Sequence, residues 1–201
     1  MKRFFLLCLV AFTVAISGFF LRAISQTVQP GISNPTALFQ SVRSSLERGQ
    51  IPLRLPTYIP NQGALPTEPG YTPPPVYAVL DETSNDQGYA IILGYTPDCT
   101  GGNACRLGTV AGKLKPSRSI EEEFAEFRHW SGEHHSEEPM SPVRLSNGIS
   151  GWFIPWVCGA TCSDAQIVWD EYAYRYSVGI KVGDRASLER MANSAIETAQ
   201  R

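Results

Sequence analysis

Two hydrophobic periods divide the chain. Leu38, Val42 and Leu46 recur every four residues, the spacing that lines apolar side chains along one side of a helix. Asn34-Pro35 precedes them as an N-cap with proline at the first helical position, and Gly49 follows as a stop, so the spacing predicts a helix over residues 35–48. From residue 76 the period shortens to two. VYAVLDE and GYAIILGYTP flank the turn cluster TSNDQ and predict a hairpin, and RLGTVAGKL predicts a third strand after the CTGGNAC loop. Ser119 and Glu122 stand at capping-box spacing, opening a helix whose apolar face carries Ile120, Phe124 and Phe127, with Trp130 close by and Gly132 at its end. PVRLS and SGWFIPWV, joined through Asn147-Gly148, then AQIVWD and YAYRYSVGIKV, supply further strands. In the last of these Tyr172, Tyr174, Tyr176, Val178 and Ile180 face one way, and Arg175, Ser177, Gly179 and Lys181 face the other, as in a half-buried antiparallel strand. Asp184 caps a final helix with Leu188, Met191, Ala192, Ala195 and Ile196 as its apolar stripe.

These elements predict an α+β fold, an antiparallel sheet of about six or seven strands with helices packed on it. There is no βαβ repeat and no Rossmann or P-loop glycine signature. Between the first helix and the first strand, residues 51–75 hold eight prolines, which forbid both helix and central strand. That segment is expected to run extended across the domain as a packed irregular arm. The domain plan is therefore a leader at 1–25, an N-terminal arm with its short helix and proline-rich segment at 26–75, and an α+β domain at 76–201.

The leader is read from MKRFFLLCLVAFTVAISGFFLRAIS. Lys2 and Arg3 form a positive start, Phe4 to Leu21 is apolar, and Ala23-Ile24-Ser25 offers small residues for cleavage, the plan of a secretory signal peptide. The apolar run, roughly 18 residues, also reaches the lower limit of a membrane span. Retention as a single N-terminal anchor is thus the alternative to cleavage, and both carry the rest of the chain out of the cytosol, to the periplasm or beyond. Lys2, Arg3 and Arg22 leave with residues 1–25, so 17 basic residues become 14 against 19 acidic ones, a net charge near −5. That balance, with no basic stripe, argues against nucleic acid as a partner.

Export changes how the cysteines read. Outside the leader they are Cys99, Cys105, Cys158 and Cys162, an even set that is expected to form disulfides in an oxidising compartment. Three connectivities are open. The enclosed loops TGGNA and GAT are short and flexible, which favours the local pairs Cys99–Cys105 and Cys158–Cys162. A redox role for CGATC is disfavoured, because thioredoxin-like chemistry needs C-x-x-C at a helix N-terminus in a βαβ setting.

The segments LPTYIP, YTPDCTGGNACRLGTVAG, NGISGWFIPWVCGATCSDAQIVWDEYAYRYSV and LERMANSAI resemble a group of exported bacterial proteins of the cyanobacterial type that have two cysteine loops and no known function. More distantly, the order of turn, tryptophan hairpin, tyrosine strand and C-terminal helix is similar to domains of unknown function attached to envelope and anti-sigma regulators. The resemblance covers residues 51–199. It implies export and a sheet-plus-helix fold, and it supplies no catalytic residues.

Candidate chemistry is sparse. All three histidines, His129, His134 and His135, fall in HWSGEHHSEE beside Glu133, Glu137 and Glu138. Imidazoles and carboxylates can bind zinc or copper, but the run lacks H-E-x-x-H spacing and reads first as a solvated loop. Ser131 lies near these histidines without an evident oxyanion hole or orienting carboxylate, and no catalytic residue is assigned. Asp170 and Glu171 are neighbours at a hairpin turn and should point to opposite sides, as a solvated turn would have them. The aromatic residues remain. Trp152 and Trp156 are expected on one strand face and Tyr172, Tyr174 and Tyr176 on another, with Trp169 between; they are core if covered and a binding surface if open. The leading expectation is a non-catalytic, disulfide-stabilised exported domain with no cofactor that binds an envelope protein or polysaccharide. The alternative is a metal-binding protein or metal-dependent hydrolase built on the histidine run.

Overall fold

A computed structural model describes residues 31–32, 34–47, 49–61, 72–128 and 134–198. The leader at 1–25, most of the second half of the proline-rich segment, His129, Trp130, Ser131, Gly132 and Glu133 lie outside the described residues.

The first helix forms as two pieces, α1 (Pro35–Leu38) and α2 (Gln40–Leu46), with Phe39 between them. Asn34 caps the first piece by accepting the Ala37 N–H, as expected. The break turns Phe39 into the core, where it is 2 % exposed, while Leu38 is only half-buried. A continuous helix over residues 35–48 is therefore corrected to two short turns, because seating a phenylalanine outweighs helical continuity.

Seven strands follow: β1 (Tyr77–Leu80), β2 (Gly88–Gly94), β3 (Arg106–Leu114), β4 (Ser141–Arg144), β5 (Ser150–Ile154), β6 (Asp164–Glu171) and β7 (Tyr174–Lys181). They form one antiparallel sheet in the order β1-β2-β3-β7-β6-β5-β4. The single crossover puts the last strand at the centre, beside β3, so β7 is buried on both edges and closes the sheet. Helix α3 (Ile120–Glu123) opens with the capping box of Ser119 and Glu122, but after one turn it tightens into a 3-10 segment at Ala125–Arg128. Helix α4 (Arg185–Thr198) starts at Asp184, whose carboxylate accepts the Ser187 N–H at 2.8 Å. The Asn147-Gly148 turn has both residues at positive φ, 58° and 73°, the geometry that suits a tight hairpin and favours Asn-Gly.

The sheet is α+β in the expected sense, and its two faces differ. One face packs against α4, α2 and the proline-rich arm: Leu188, Met191, Ala195, Phe39, Ile51 and Ile59 close over Ile91, Val110, Ile167, Trp169, Tyr176, Val178 and Ile180. Proline keeps residues 51–60 extended, so Ile51, Leu55 and Ile59 reach that core from a segment that contributes neither helix nor strand. On the other face a smaller cluster of Ile120, Met140, Ile154 and Val168, with Phe124, Phe127 and Trp152 against it, covers the β5–β6 side. Across the middle of the β2–β3–β7 part of that face runs a row of short side chains, Ala90, Ala111 and Ser177.

Both disulfides are local. Cys99–Cys105 ties the β2–β3 connection, and Cys158–Cys162 ties the β5–β6 connection. Such bonds fit an oxidising, extracytoplasmic setting.

Candidate functional site: a cleft on the second sheet face

Residues paired across antiparallel strands project to the same side, so the register dictates what each face displays. On the face away from α4 three rows cross the central strands. The first is Gly88–Lys113–Arg175–Asp170, the second Ala90–Ala111–Ser177–Val168, and the third Ile92–Thr109–Gly179–Gln166. The middle row is floored by small side chains, and α3 rises beside its Val168 end. Together they bound a cleft of about 470 Å³, within the range of about 300–1,000 Å³ common for small-ligand sites. Ala111, Lys113, Glu123, Phe124, Gln166 and Ser177 are its principal walls and floor.

The charged row anchors α3 to the sheet. Arg175 was expected to face solvent, but its side chain is 2 % exposed. Its Nε and Nη2 donate to Asp170, Nη1 donates to Glu123, and Nη2 also donates to the Arg118 carbonyl. Lys113 donates to Glu123 at 2.9 Å, and Lys115 pairs with Asp170 at 3.1 Å. Burial raises the affinity of the Glu123 and Asp170 carboxyls for protons, but the hydrogen bonds from Lys113, Lys115 and Arg175 outweigh it and hold both below the ordinary carboxylate range. Lys113, Lys115 and Arg175 thus share the two carboxylates at this end of the cleft.

Beyond the cleft, past Gln166, the same sheet face is tied to the cysteine loops. Arg106 Nε donates to Asp164 at 3.1 Å, and its Nη1 donates to the Gly101 carbonyl inside the Cys99–Cys105 loop. Thr109 donates its hydroxyl to the other Asp164 oxygen across β7. This crossing needs glycine at 179: a Cβ there would lie 3.0 Å from Gln166 Cγ and 3.1 Å from Asp164 Cβ. Burial pushes the Asp164 carboxyl up, more than Arg106 and Thr109 bring it down.

Along the cleft floor the polar groups are unspent. Among the described residues the Gln166 amide and the Ser177 hydroxyl have no hydrogen-bond partner within the chain, and both are half-buried. Phe124 stands beside them, half-buried and tilted against Phe127 with ring centroids 6.1 Å apart.

The residues singled out from sequence fall elsewhere and are not brought together. Trp169 and Tyr176 stack at 5.6 Å inside the main core, at 0 % and 1 % exposure, so neither offers a surface. Trp156 and Tyr174 pack half-buried against that core, whereas Trp152 packs on the other side of the sheet, so the expected shared face of Trp152 and Trp156 is not formed. Tyr172, expected on the buried face, sits at the β6–β7 turn with φ 54° and is 89 % exposed. Asp170 and Glu171 do point to opposite sides, but both are ion-paired, Glu171 with Arg54 of the proline-rich arm. His134 and His135 are exposed near the Cys158–Cys162 loop, where the Cys158 N–H donates to the His134 carbonyl; His129 lies outside the described residues. Among the described residues no three His, Cys, Asp or Glu side chains converge as metal ligands would.

Gln166, Ser177, Ala111 and Phe124 were not anticipated as a site. Their only trace in the sequence is the run of small or polar residues at alternate positions of β3 and β7, which reads equally as a solvated sheet face.

Compared with known proteins, the chain matches no family model, no curated protein and no solved structure.

Proposed function

We propose that this chain is a non-catalytic binding domain of the cell envelope, periplasmic or secreted, that takes its ligand in the cleft over β2, β3, β7 and β6. The likeness of its cysteine loops and tryptophan–tyrosine hairpin to exported bacterial proteins supports the location, as do the two disulfides. The observation that carries the reading is the cleft itself. Its floor is sheet, the cations at its charged end are each paired with Glu123 or Asp170, and two polar side chains on the floor lack partners among the described residues. Such a surface positions a ligand: on the sheet Ser177 has Ala111 and Val168 opposite it and Gln166 on the diagonal, none of them a base, and the Glu123 carboxylate is held by Lys113 and Arg175.

The test uses the oxidised full chain, titrated with separated polysaccharide and protein fractions of an envelope extract and followed by amide chemical shifts. The expected result is displacement of the Ala90, Ala111 and Ser177 resonances by one fraction, lost in Ala111→Trp, which fills the floor. Unmoved cleft resonances with every fraction would overturn the proposal, as would turnover of a fraction that a single cleft substitution abolishes.

A further inference from the structure

We infer that the ligand of this cleft is an uncharged polyhydroxylated chain, a neutral glycan segment; the inference rests on reading the cleft as a binding site. The chemistry of the walls excludes the main rivals one by one. An anionic ligand would have to compete with Glu123 and Asp170: Arg175 is bonded to both and to the Arg118 carbonyl, Lys113 is held by Glu123, and three cations over two carboxylates leave a single excess charge. A cationic ligand meets Glu123 already shared by two cations. An extended peptide cannot add as a strand, because β2, β3, β7 and β6 are each paired on both sides and their main-chain groups are used in the ladders. A purely apolar ligand would seal the Gln166 amide and the Ser177 hydroxyl away from water without partners, leaving both desolvated and unpaired.

A neutral sugar meets none of these objections. Gln166 offers two donors and an acceptor, and Ser177 offers one donor and two acceptor lone pairs, a set that suits vicinal hydroxyls. Phe124 supplies an apolar ring beside them for the C–H face of a pyranose. The short floor residues Ala90, Ala111 and Ser177 let a flat ring approach the sheet closely.

Isothermal titration and amide shifts of the oxidised full chain with cellohexaose, maltohexaose and chitohexaose, against hexagalacturonate as the charged control, test the assignment. At least one neutral hexasaccharide should bind and move the Ala111 and Ser177 resonances, with affinity unchanged when salt is raised about tenfold, since no ion pair forms. Gln166→Leu, which keeps the fold if its amide is free, should weaken binding by about tenfold, and Phe124→Leu should do likewise. Tighter binding of the hexagalacturonate, strong salt dependence, or indifference to Gln166→Leu would overturn the inference. So would a failure of all three neutral sugars. If a peptide or charged polymer then moved the same resonances, the cleft would stand as a binding site and only its ligand class would fall.

Discussion

Arg54 and Glu171 meet as a two-pronged pair across 117 positions of chain: Nε donates to Oε2 at 2.9 Å and Nη2 to Oε1 at 2.7 Å. The pair fastens the proline-rich arm to the β6–β7 hairpin at side-chain exposures of 13 % and 16 %. Two tyrosines add to the clasp. Tyr89 Oη accepts the Arg54 N–H, and Tyr176 Oη donates to the Pro52 carbonyl; burial pushes the Tyr176 hydroxyl's pKa up to about 12, so it stays a donor at every physiological pH. The arm is held by specific polar contacts as well as by Ile51, Leu55 and Ile59.

Removing either side of this fork strands a largely buried charge. Arg54→Met and Glu171→Gln should each cost roughly 2–4 kcal/mol in urea unfolding, and the double variant should cost less than their sum. Limited proteolysis should cut the single variants between residues 50 and 60. Two single variants within about 0.5 kcal/mol of the parent would mean that the arm is held by apolar packing alone.

The Arg175 cluster makes an acid-side prediction. Glu123 and Asp170 titrate below the ordinary carboxylate range in the fold, so their contribution is full above the unfolded value, about 4, and drains away as pH falls through the lower folded value. Asp164 runs the other way: its raised carboxyl favours the fold at low pH and loses that contribution as pH rises through its folded value. Thermal melts between pH 5 and pH 2.5 should show a drop in Tm that shrinks by about half in Glu123→Gln/Asp170→Asn. An equally steep acid branch in that variant would place the acid sensitivity elsewhere.

The two disulfides should differ in reactivity. Cys99 is 1 % exposed under its loop, whereas Cys158 and Cys162 are half-buried around an exposed Gly159-Ala160-Thr161 tip. Stepwise reduction with alkylation and mass spectrometry should label Cys158 and Cys162 first. Loss of either bond should cost about 2 kcal/mol, the loop-closure value for rings this small. Simultaneous labelling of all four would show that the β2–β3 loop opens as readily as the other.

Gly108 is the most crowded of the described glycines. A Cβ there would lie 2.1 Å from the Gly179 carbonyl oxygen, a main-chain atom of the central strand that cannot retreat without disturbing the β3–β7 ladder. Gly108→Ala should therefore destabilise by more than about 3 kcal/mol or block folding, measured by denaturant melts or, failing soluble protein, by recovery on refolding. Gly159→Ala, where nothing lies within 4 Å, is the neutral control.

Local signals were readable where one residue type performs one local task. Asn34-Pro35, the Ser119–Glu122 box, Asn147-Gly148, Asp184 and the stripe on α4 all do in three dimensions what their spacing announces. Strand alternation located all seven strands. It misassigned Arg175, whose charge suggests water, and Tyr172, whose ring suggests burial, because alternation reports a side and not what stands over it.

Residue order alone thus announced the strands, the caps and the final helix and favoured the local disulfide loops, since backbone preference, apolar period and ring size are properties of neighbours along the chain; it did not announce the break at Phe39 or the 3-10 turn after Glu123. Strand order, the burial of the proline-rich arm and the cleft were decided only on folding. The crossover that seats β7 beside β3 brings Ala111, Ser177 and Gln166 into contact range, and contacts between distant segments depend on which faces the packing leaves uncovered, a quantity no local pattern encodes.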